Sequence, residues 1–331
     1  MKSQFISGSL ALAEGAIYSG CRYYFGTPSF LHFEILEYMA KRLPEVNGVF
    51  LQAENESSAI SMVIGASASG ARVLISSNSN GINLMSEGIS YLYELKLPCV
   101  IANVIGNTNF NYLQIDYKQN IYNDNRLIIF SPNSVQEIFD LTNIAFNLSD
   151  KYRTPVMICV DSQILSLMEK IEIDENLLPL GTLPLKEWAV GNNEKINIFN
   201  YSKSSDNNNI DLIQNKKDEE RYEGQKIEDA EFLIISYGIV SRILYEIIDI
   251  LRKEKKRFGL FRPITLNPFP HNGLKKFLNK TIKKIFVVEL NELNSEYILK
   301  EVKQIVANDI PIKTIDKFKD LPQIKEIIEH L

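Results

Sequence analysis

The 331-residue sequence predicts an α/β protein in two domains, and three observations carry that prediction. Short apolar runs alternate with helical segments at βα spacing through residues 6–170. Composition then turns polar over residues 171–228, with SKSSDNNN at Ser202–Asn209 and KKDEERYEGQK at Lys216–Lys226. From Glu231 the alternation of strands and helices resumes. The expected division is a doubly wound α/β domain over 1–170, a polar linker over 171–228 and a smaller α/β domain over 229–331. The first domain should hold a mostly parallel sheet with helices on both faces, the arrangement that βα crossovers produce.

In chain order, the first domain's strands are expected at Arg22–Phe25, Val49–Leu51, Arg72–Ser76, Val100–Val104, Leu127–Phe130 and Val156–Val160. Each is a short apolar run of the length a buried parallel strand needs. Helices are expected between them, around Leu10–Ser19, Phe33–Leu43, Ser57–Ser69, Leu84–Leu95 and Val135–Leu148. Pro132, Asn133 and Ser134 supply a helix start just before Val135. Within the linker, Trp188 is an apolar anchor. The second domain reads as strands Phe232–Ser236, Phe258–Phe261, Ile285–Val288 and Ile312–Ile315, with helices Val240–Lys253, Gly273–Leu278, Ser295–Val306 and Leu321–Leu331. No internal repeat is visible.

Composition removes several function classes. A net charge of −5 leaves no electrostatic footprint for nucleic acid. No apolar run reaches the length of a membrane span, and MKSQFISGSL lacks a basic region followed by a hydrophobic core, so a cytoplasmic protein is expected. Cys21, Cys99 and Cys159 are far apart; Cys99 and Cys159 fall in or beside apolar strands, which reads as buried thiols, and the lack of a CxxC argues against a local iron–sulfur motif. His32, His271 and His330 are equally scattered and suggest no zinc site.

The stretch with the most chemistry is VFLQAENESSAISMVIGASASG, Val49–Gly70. An apolar strand runs into Glu54 and Glu56, and a helix of small residues follows. An acid in a first helical turn, at the carboxyl end of a strand, stands where α/β sheets place ligands. It also stabilises the helix macrodipole without any ligand, so position alone leaves both readings for Glu56 open. Glu54 reads as a polar loop residue or an interface contact.

The flanking segments add specificity. YMAKRLPE (Tyr38–Glu45), LPCVIANV (Leu97–Val104), KYRTPV (Lys151–Val156), GLFRPITLNPFP (Gly259–Pro270) and VVELN (Val287–Asn291) accompany the Glu54-Asn55-Glu56 pattern. Together they resemble the alpha subunit of the 2-oxoacid:ferredoxin oxidoreductases, thiamine-diphosphate enzymes that oxidise 2-oxo acids with coenzyme A. The resemblance spans most of residues 6–170 and 225–315. It implies a thiamine-pyrimidine-binding first domain and a second domain like the transketolase C-terminal domain.

The resemblance also assigns roles. Glu56 matches the family's cofactor glutamate, which meets N1′ of the aminopyrimidine and favours the imino tautomer that takes the C2 proton. Pro28, Phe30, Asn78 and Gly81 fall on its cofactor-binding loops, and Gly106, Asn107 and Arg262 on positions that would face substrate or coenzyme A. The loops depart from the family pattern. GTPSFL (Gly26–Leu31) stands for Gly-Tyr-Pro-Ile-Thr-Pro, which places Phe30 at the threonine, and SNSNG (Ser77–Gly81) stands for Thr-Ser-Gly-Pro-Gly. IGNTNFNY (Ile105–Tyr112) stands after Val104 where Gln-Arg-Gly-Gly-Pro-Ser-Thr-Gly is expected, so the carboxylate-binding arginine falls on Gly106. Lys118 and Arg126 are nearby cations in sequence. Asn78, Asn80, Asn103, Asn107, Asn109 and Asn111 crowd the same rim, as a polar pocket or as compositional drift toward Asn. For Arg262 the structural alternative is a salt bridge with Glu289. Tyr91, Leu92 and Tyr93 read as subunit or core packing.

No Gly-Asp-Gly followed 25–30 residues later by Asn occurs, and no P-loop or GxGxxG replaces it. The chain thus offers only the pyrimidine half of a thiamine site. The resemblance implies a beta-type partner subunit that carries the diphosphate, Mg2+ and an iron–sulfur cluster, in an αβ hetero-oligomer that passes electrons to ferredoxin. The expected reaction is oxidative decarboxylation of a 2-oxo acid to an acyl-CoA. Two alternatives stand beside it: an inactive or altered-substrate paralogue kept as a structural or regulatory subunit, and a thiamine-dependent decarboxylase that does not use ferredoxin.

Overall fold

The computed structural model describes residues 2–106, 127–173, 183, 185–190, 217–278, 281–289, 295–306, 310–315, 318 and 321–331. The first half contains β1 (Lys2–Ser7), α1 (Gly8–Tyr18), β2 (Tyr23–Gly26), α2 (Phe33–Glu45), β3 (Val49–Gln52), α3 (Glu56–Ala68) and β4 (Val73–Asn78). These are followed by α4 (Ser79–Leu84), α5 (Ser86–Glu94), β5 (Cys99–Ile105), β6 (Ile128–Phe130), α6 (Val135–Tyr152), β7 (Pro155–Asp161), α7 (Ser162–Ser166) and β8 (Met168–Ile173). After them come β9 (Tyr222–Gln225), β10 (Phe232–Ile235), α8 (Gly238–Lys253), β11 (Phe258–Pro263), β12 (Thr265–Asn267), α9 (His271–Phe277), β13 (Lys284–Val288), α10 (Ser295–Lys303), β14 (Ile312–Ile315) and α11 (Ile324–His330).

A seven-stranded sheet in the order β12-β6-β7-β5-β4-β2-β3 forms the larger layer. Its pairs are parallel except where β12 runs antiparallel to β6. Strands β5 and β7 are buried along their whole length, as parallel strands covered on both faces must be. Their side chains alternate between two cores. Val100, Ala102 and Val104 pack with α1, α2 and α6 residues, while Cys99, Ile101 and Ile105 pack with α3 and α5 residues. Cys99 and Cys159 are buried, as expected, Cys21 is buried as well, and all three are free thiols. Helix α1 is buried almost all round, which its Ala, Gly and Leu content permits. It lies close against α6: a Cβ at Gly15 would stand 2.9 Å from the Phe139 carbonyl oxygen.

The second sheet has the order β14-β13-β10-β11-β9, parallel apart from β9. The two halves are joined by more than chain connectivity. Strand β12 comes from the second half but completes the first sheet, pairing Thr265 with Phe130. The GLFRPITLNPFP segment is therefore a strand, a turn and a second short strand, not a strand followed by a turn alone.

Three other features differ from the sequence reading. Strands β1 and β8 form an antiparallel two-stranded sheet that polar KSQFIS and MEKIEI did not announce. The helix expected over Leu84–Leu95 breaks at Met85, which leaves helical geometry at ψ 0° and divides α4 from α5. Both ends of the polar stretch carry strands, since Ile171–Ile173 belong to β8 and Tyr222–Gln225 form β9. Trp188 acts as the anchor its composition suggested. The Arg153 guanidinium lies 4.5 Å from its ring centre, and the Val190 amide donates to the Ala68 carbonyl.

Candidate functional site

The carboxyl ends of β2, β3 and β4 lie side by side, so the loops that follow them share one rim of the sheet. Glu56 opens α3 at this rim. The preceding Asn55 caps the helix, its Oδ1 accepting from the Ser58 amide at 2.9 Å. That cap fixes the first turn and with it the backbone of Glu56. The Thr27 hydroxyl, from the loop after β2, donates to Glu56 Oε1 at 3.0 Å. Glu56 Oε2 has no hydrogen bond to a described residue.

The third wall is the start of α4. Asn78 caps it, with Oδ1 accepting from the Gly81 amide at 2.9 Å, while Asn78 Nδ2 donates to Ser29 Oγ at 3.3 Å. Gly81 presses directly on the carboxylate. A Cβ there would stand 3.1 Å from Glu56 Oε1 and would overlap Ser77 Oγ. Any other residue here would collide with Ser77. Two buried polar atoms near the carboxylate have no hydrogen-bond partner among the described residues, Ser77 Oγ and His32 Nδ1. Burial holds the His32 pKa below its ordinary value, and hydrogen bonding to Thr27 and the charge of Glu56 oppose that shift.

The site residues expected from sequence divide clearly. Glu56, Asn78 and Gly81 meet. Pro28 and Phe30 lie on the adjoining loop, both exposed, and Phe30 projects its ring with 97% exposure. Gly106 ends the β5 edge of the same rim under Leu31: a Cβ on Gly106 would lie 2.9 Å from Leu31 Cδ1. Asn107 is outside the described residues, as are Asn109, Asn111, Lys118 and Arg126.

Arg262 stands apart from this cluster. It is buried, its guanidinium gripping Glu137 on α6 (2.9 Å from Nη1) and Glu223 on β9 (2.8 Å from Nη2). The expected bridge to Glu289 is not the one that forms. Both carboxylates come from elements distant in sequence, and they leave the guanidinium no face for an external ligand. Asn103, placed at the rim from sequence, is a buried residue of β5 that accepts from Ser79 Oγ at 3.3 Å. Leu92 is core and Tyr91 is exposed.

The comparisons with known proteins agree with this architecture. Residues 14–192 match the family model described as pyruvate flavodoxin/ferredoxin oxidoreductase, thiamine diP-binding, and residues 230–322 match pyruvate:ferredoxin oxidoreductase core domain II. The ketoisovalerate oxidoreductase subunit VorB of Methanothermobacter marburgensis is 38% identical over 294 residues, 83% of each chain. The chain belongs to the 2-oxoacid:ferredoxin oxidoreductase family, among its alpha-type subunits. Within the family, the 2-oxoglutarate synthase subunit KorA of Methanocaldococcus jannaschii is 30% identical, covering 96% of this chain and 95% of that one. A solved 2-oxoglutarate:ferredoxin oxidoreductase from Magnetococcus marinus superposes with a TM-score of 0.84 at 20% identity. That likeness covers 99% of this chain and 64% of the solved one, and at this identity it speaks for the fold.

Sequence reasoning did not single out Thr27, His32 or Ser77. Thr27 and Ser77 lie inside the GTPSFL and SNSNG segments that marked the loops, but no acid stands near either in sequence, so their place beside Glu56 had no local signal. His32 gave none, since its contact depends on how the loop closes. Among the described residues no group of three or more His, Cys, Asp or Glu side chains is placed to hold a metal ion, and no helix is long and apolar enough to cross a membrane.

Proposed function

We propose that this chain supplies the aminopyrimidine half of a thiamine-diphosphate site in a 2-oxoacid:ferredoxin oxidoreductase complex, with Glu56 as the carboxyl group that meets the pyrimidine. The observation that supports this most is the treatment of the Glu56 carboxylate. One oxygen is held by Thr27, the other has no hydrogen bond to a described residue, and Gly81 puts bare backbone rather than a side chain against the carboxylate. The orphaned Ser77 hydroxyl adds a donor at the same place. These groups suit an aminopyrimidine, which needs one carboxyl contact and close flanking walls. When bound, thiamine diphosphate supplies the nucleophilic carbon for decarboxylating a 2-oxo acid.

The chain's own tasks are then limited. Glu56 Oε2 would carry the proton that is shared with the ring nitrogen, Thr27 keeps Oε1 oriented, and the Asn78–Gly81 turn walls one side. The sequence lacks a diphosphate and magnesium motif, so a beta-type chain carrying those groups and an iron–sulfur cluster completes the site. Coenzyme A and ferredoxin are the co-substrates this reading implies. A second reading, an altered substrate, is favoured by Gly106. Leu31 occupies the space beside it, so this position offers no cationic clamp for the substrate carboxylate.

The test is calorimetric titration of thiamine diphosphate with Mg2+ into the complex with its beta-type partner, for wild type and Glu56→Gln. Saturable binding, with C2 proton exchange lost in the variant, is the expected result. Exchange that is indifferent to Glu56 sinks the proposal.

A further inference from the structure

Of the three histidines, only His32 is buried, at 1% exposure. It closes the loop between β2 and α2. Its Nε2 lies 3.0 Å from the Thr27 carbonyl oxygen. A carbonyl only accepts, so Nε2 carries the proton and donates. Thr27 is itself 5% exposed, and its hydroxyl donates onward to Glu56 Oε1 at 3.0 Å. Residue 27 therefore receives one bond on its backbone and gives another from its side chain, placing an imidazole and a carboxylate at the two ends of one short chain.

We propose that His32 is a positioning residue for Glu56, fixing Thr27 so that its hydroxyl holds Oε1 and leaves Oε2 to the ligand. This rests on the reading of Glu56 as the pyrimidine contact. Two features make the loop a poor aim without the histidine. Its neighbours Pro28 and Phe30 are exposed and offer no packing to hold it, and Leu31 is only half-buried against Gly106, which leaves the 3.3 Å bond from Asn78 Nδ2 to Ser29 Oγ as the other side-chain hold. The imidazole stays neutral because burial disfavours its cation, so the donor is the same across the physiological range. A hydroxyl held within hydrogen-bonding distance by one buried donor can orient a carboxylate that a freely rotating hydroxyl cannot.

The experiment uses the complex with its beta-type partner and compares wild type, Glu56→Gln, His32→Leu, His32→Gln, Thr27→Val and the His32→Leu/Thr27→Val pair. Thiamine diphosphate affinity is read by calorimetry and C2 proton exchange by NMR. In the apo protein, 15N-NMR reads the His32 ring, which should be neutral with the proton on Nε2 at pH 7 to 8. His32→Leu should slow exchange about tenfold with affinity kept within about threefold, the loss of one orienting hydrogen bond. His32→Gln places an amide donor near the same carbonyl and should recover most of the rate. Thr27→Val should match His32→Leu, and the pair should be no slower than either alone, because both act through one route. Wild-type exchange in His32→Leu, with Glu56→Gln inactive, overturns the positioning role alone. Parallel loss of folding and affinity in both His32 variants also overturns it, as a purely structural histidine. Exchange unaffected by Glu56→Gln overturns the reading of Glu56 itself, and the role of His32 with it.

Discussion

Asp161→Asn should make this protein more stable, and increasingly so as pH rises. Asp161 ends β7 at 2% exposure, at the joint between the two halves. Its Oδ2 accepts from the Ile239 amide at 2.8 Å, in the first turn of α8. Gly238 approaches so closely that a Cβ would lie 2.5 Å from Oδ2, and its φ of +57° suits glycine. Burial pushes the carboxyl pKa from 3.8 up to about 7, against the pull of the Ile239 amide. The folded state thus binds its proton more tightly than the unfolded state does. Stability contributed by the neutral form is fully present below pH 4 and is lost as pH rises towards 7. A rise of about three pH units corresponds to about 4 kcal/mol above pH 7, against about 2 kcal/mol at pH 5. Asparagine keeps the acceptor and the shape but carries no charge. At roughly 2.1 cal/mol/K per residue, about 4 kcal/mol is a Tm gain of about 6 °C at pH 8, shrinking to about 3 °C at pH 5. Thermal unfolding of both proteins at the two pH values is the assay. A Tm difference that does not change with pH, or that favours Asp161 at pH 8, refutes a buried, proton-binding carboxyl at this joint.

Two further outcomes follow from side chains already placed. Arg262→Met should destabilise the chain by about 2–4 kcal/mol in urea unfolding, because Glu137 and Glu223 lose their shared cation. Arg262→Lys should recover only part of that, since one ammonium cannot span both carboxylates as the planar fork does. Gly106→Arg should cost no more than about 1 kcal/mol, because the half-buried Leu31 side chain that it meets can turn aside, read by the same unfolding assay.

The strands of the larger sheet were legible because parallel strands buried on both faces must be continuous apolar runs, and Val100–Val104 and Val156–Val160 could be little else. Glu56 was legible for a related reason: a strand end, an N-cap and an acid are adjacent in sequence, and the cap geometry is local. What escaped was set at long range. Strands β1 and β8 pair across some 160 residues with few apolar side chains, so neither announces itself alone. Strand β12 is three residues between two prolines and exists as a strand only because Phe130 stands opposite Thr265. Arg262 was given Glu289, whereas the fold brings Glu137 from 125 residues away and pairs Arg262 with Glu223 on the neighbouring β9. The Thr27 bridge failed to show for the same reason on a smaller scale, since it requires β2 and β3 to lie side by side.

The exposed side chains at the rim bear on how a second chain would complete the proposed site. Phe30, Leu84 and Leu51 are 97%, 65% and 48% exposed, and they sit on the loop after β2, at the end of α4 and on β3, the elements that surround Glu56. A carboxyl group that must hand a proton to and from a ring works best where water is excluded, and this chain alone leaves Glu56 half-buried. Covering the three apolar side chains would contribute on the order of 5 kcal/mol, enough to help hold a second chain over the open Oε2. The same contact that completes the proposed cofactor site would thereby dry the carboxylate, so assembly and activation of Glu56 would be one event.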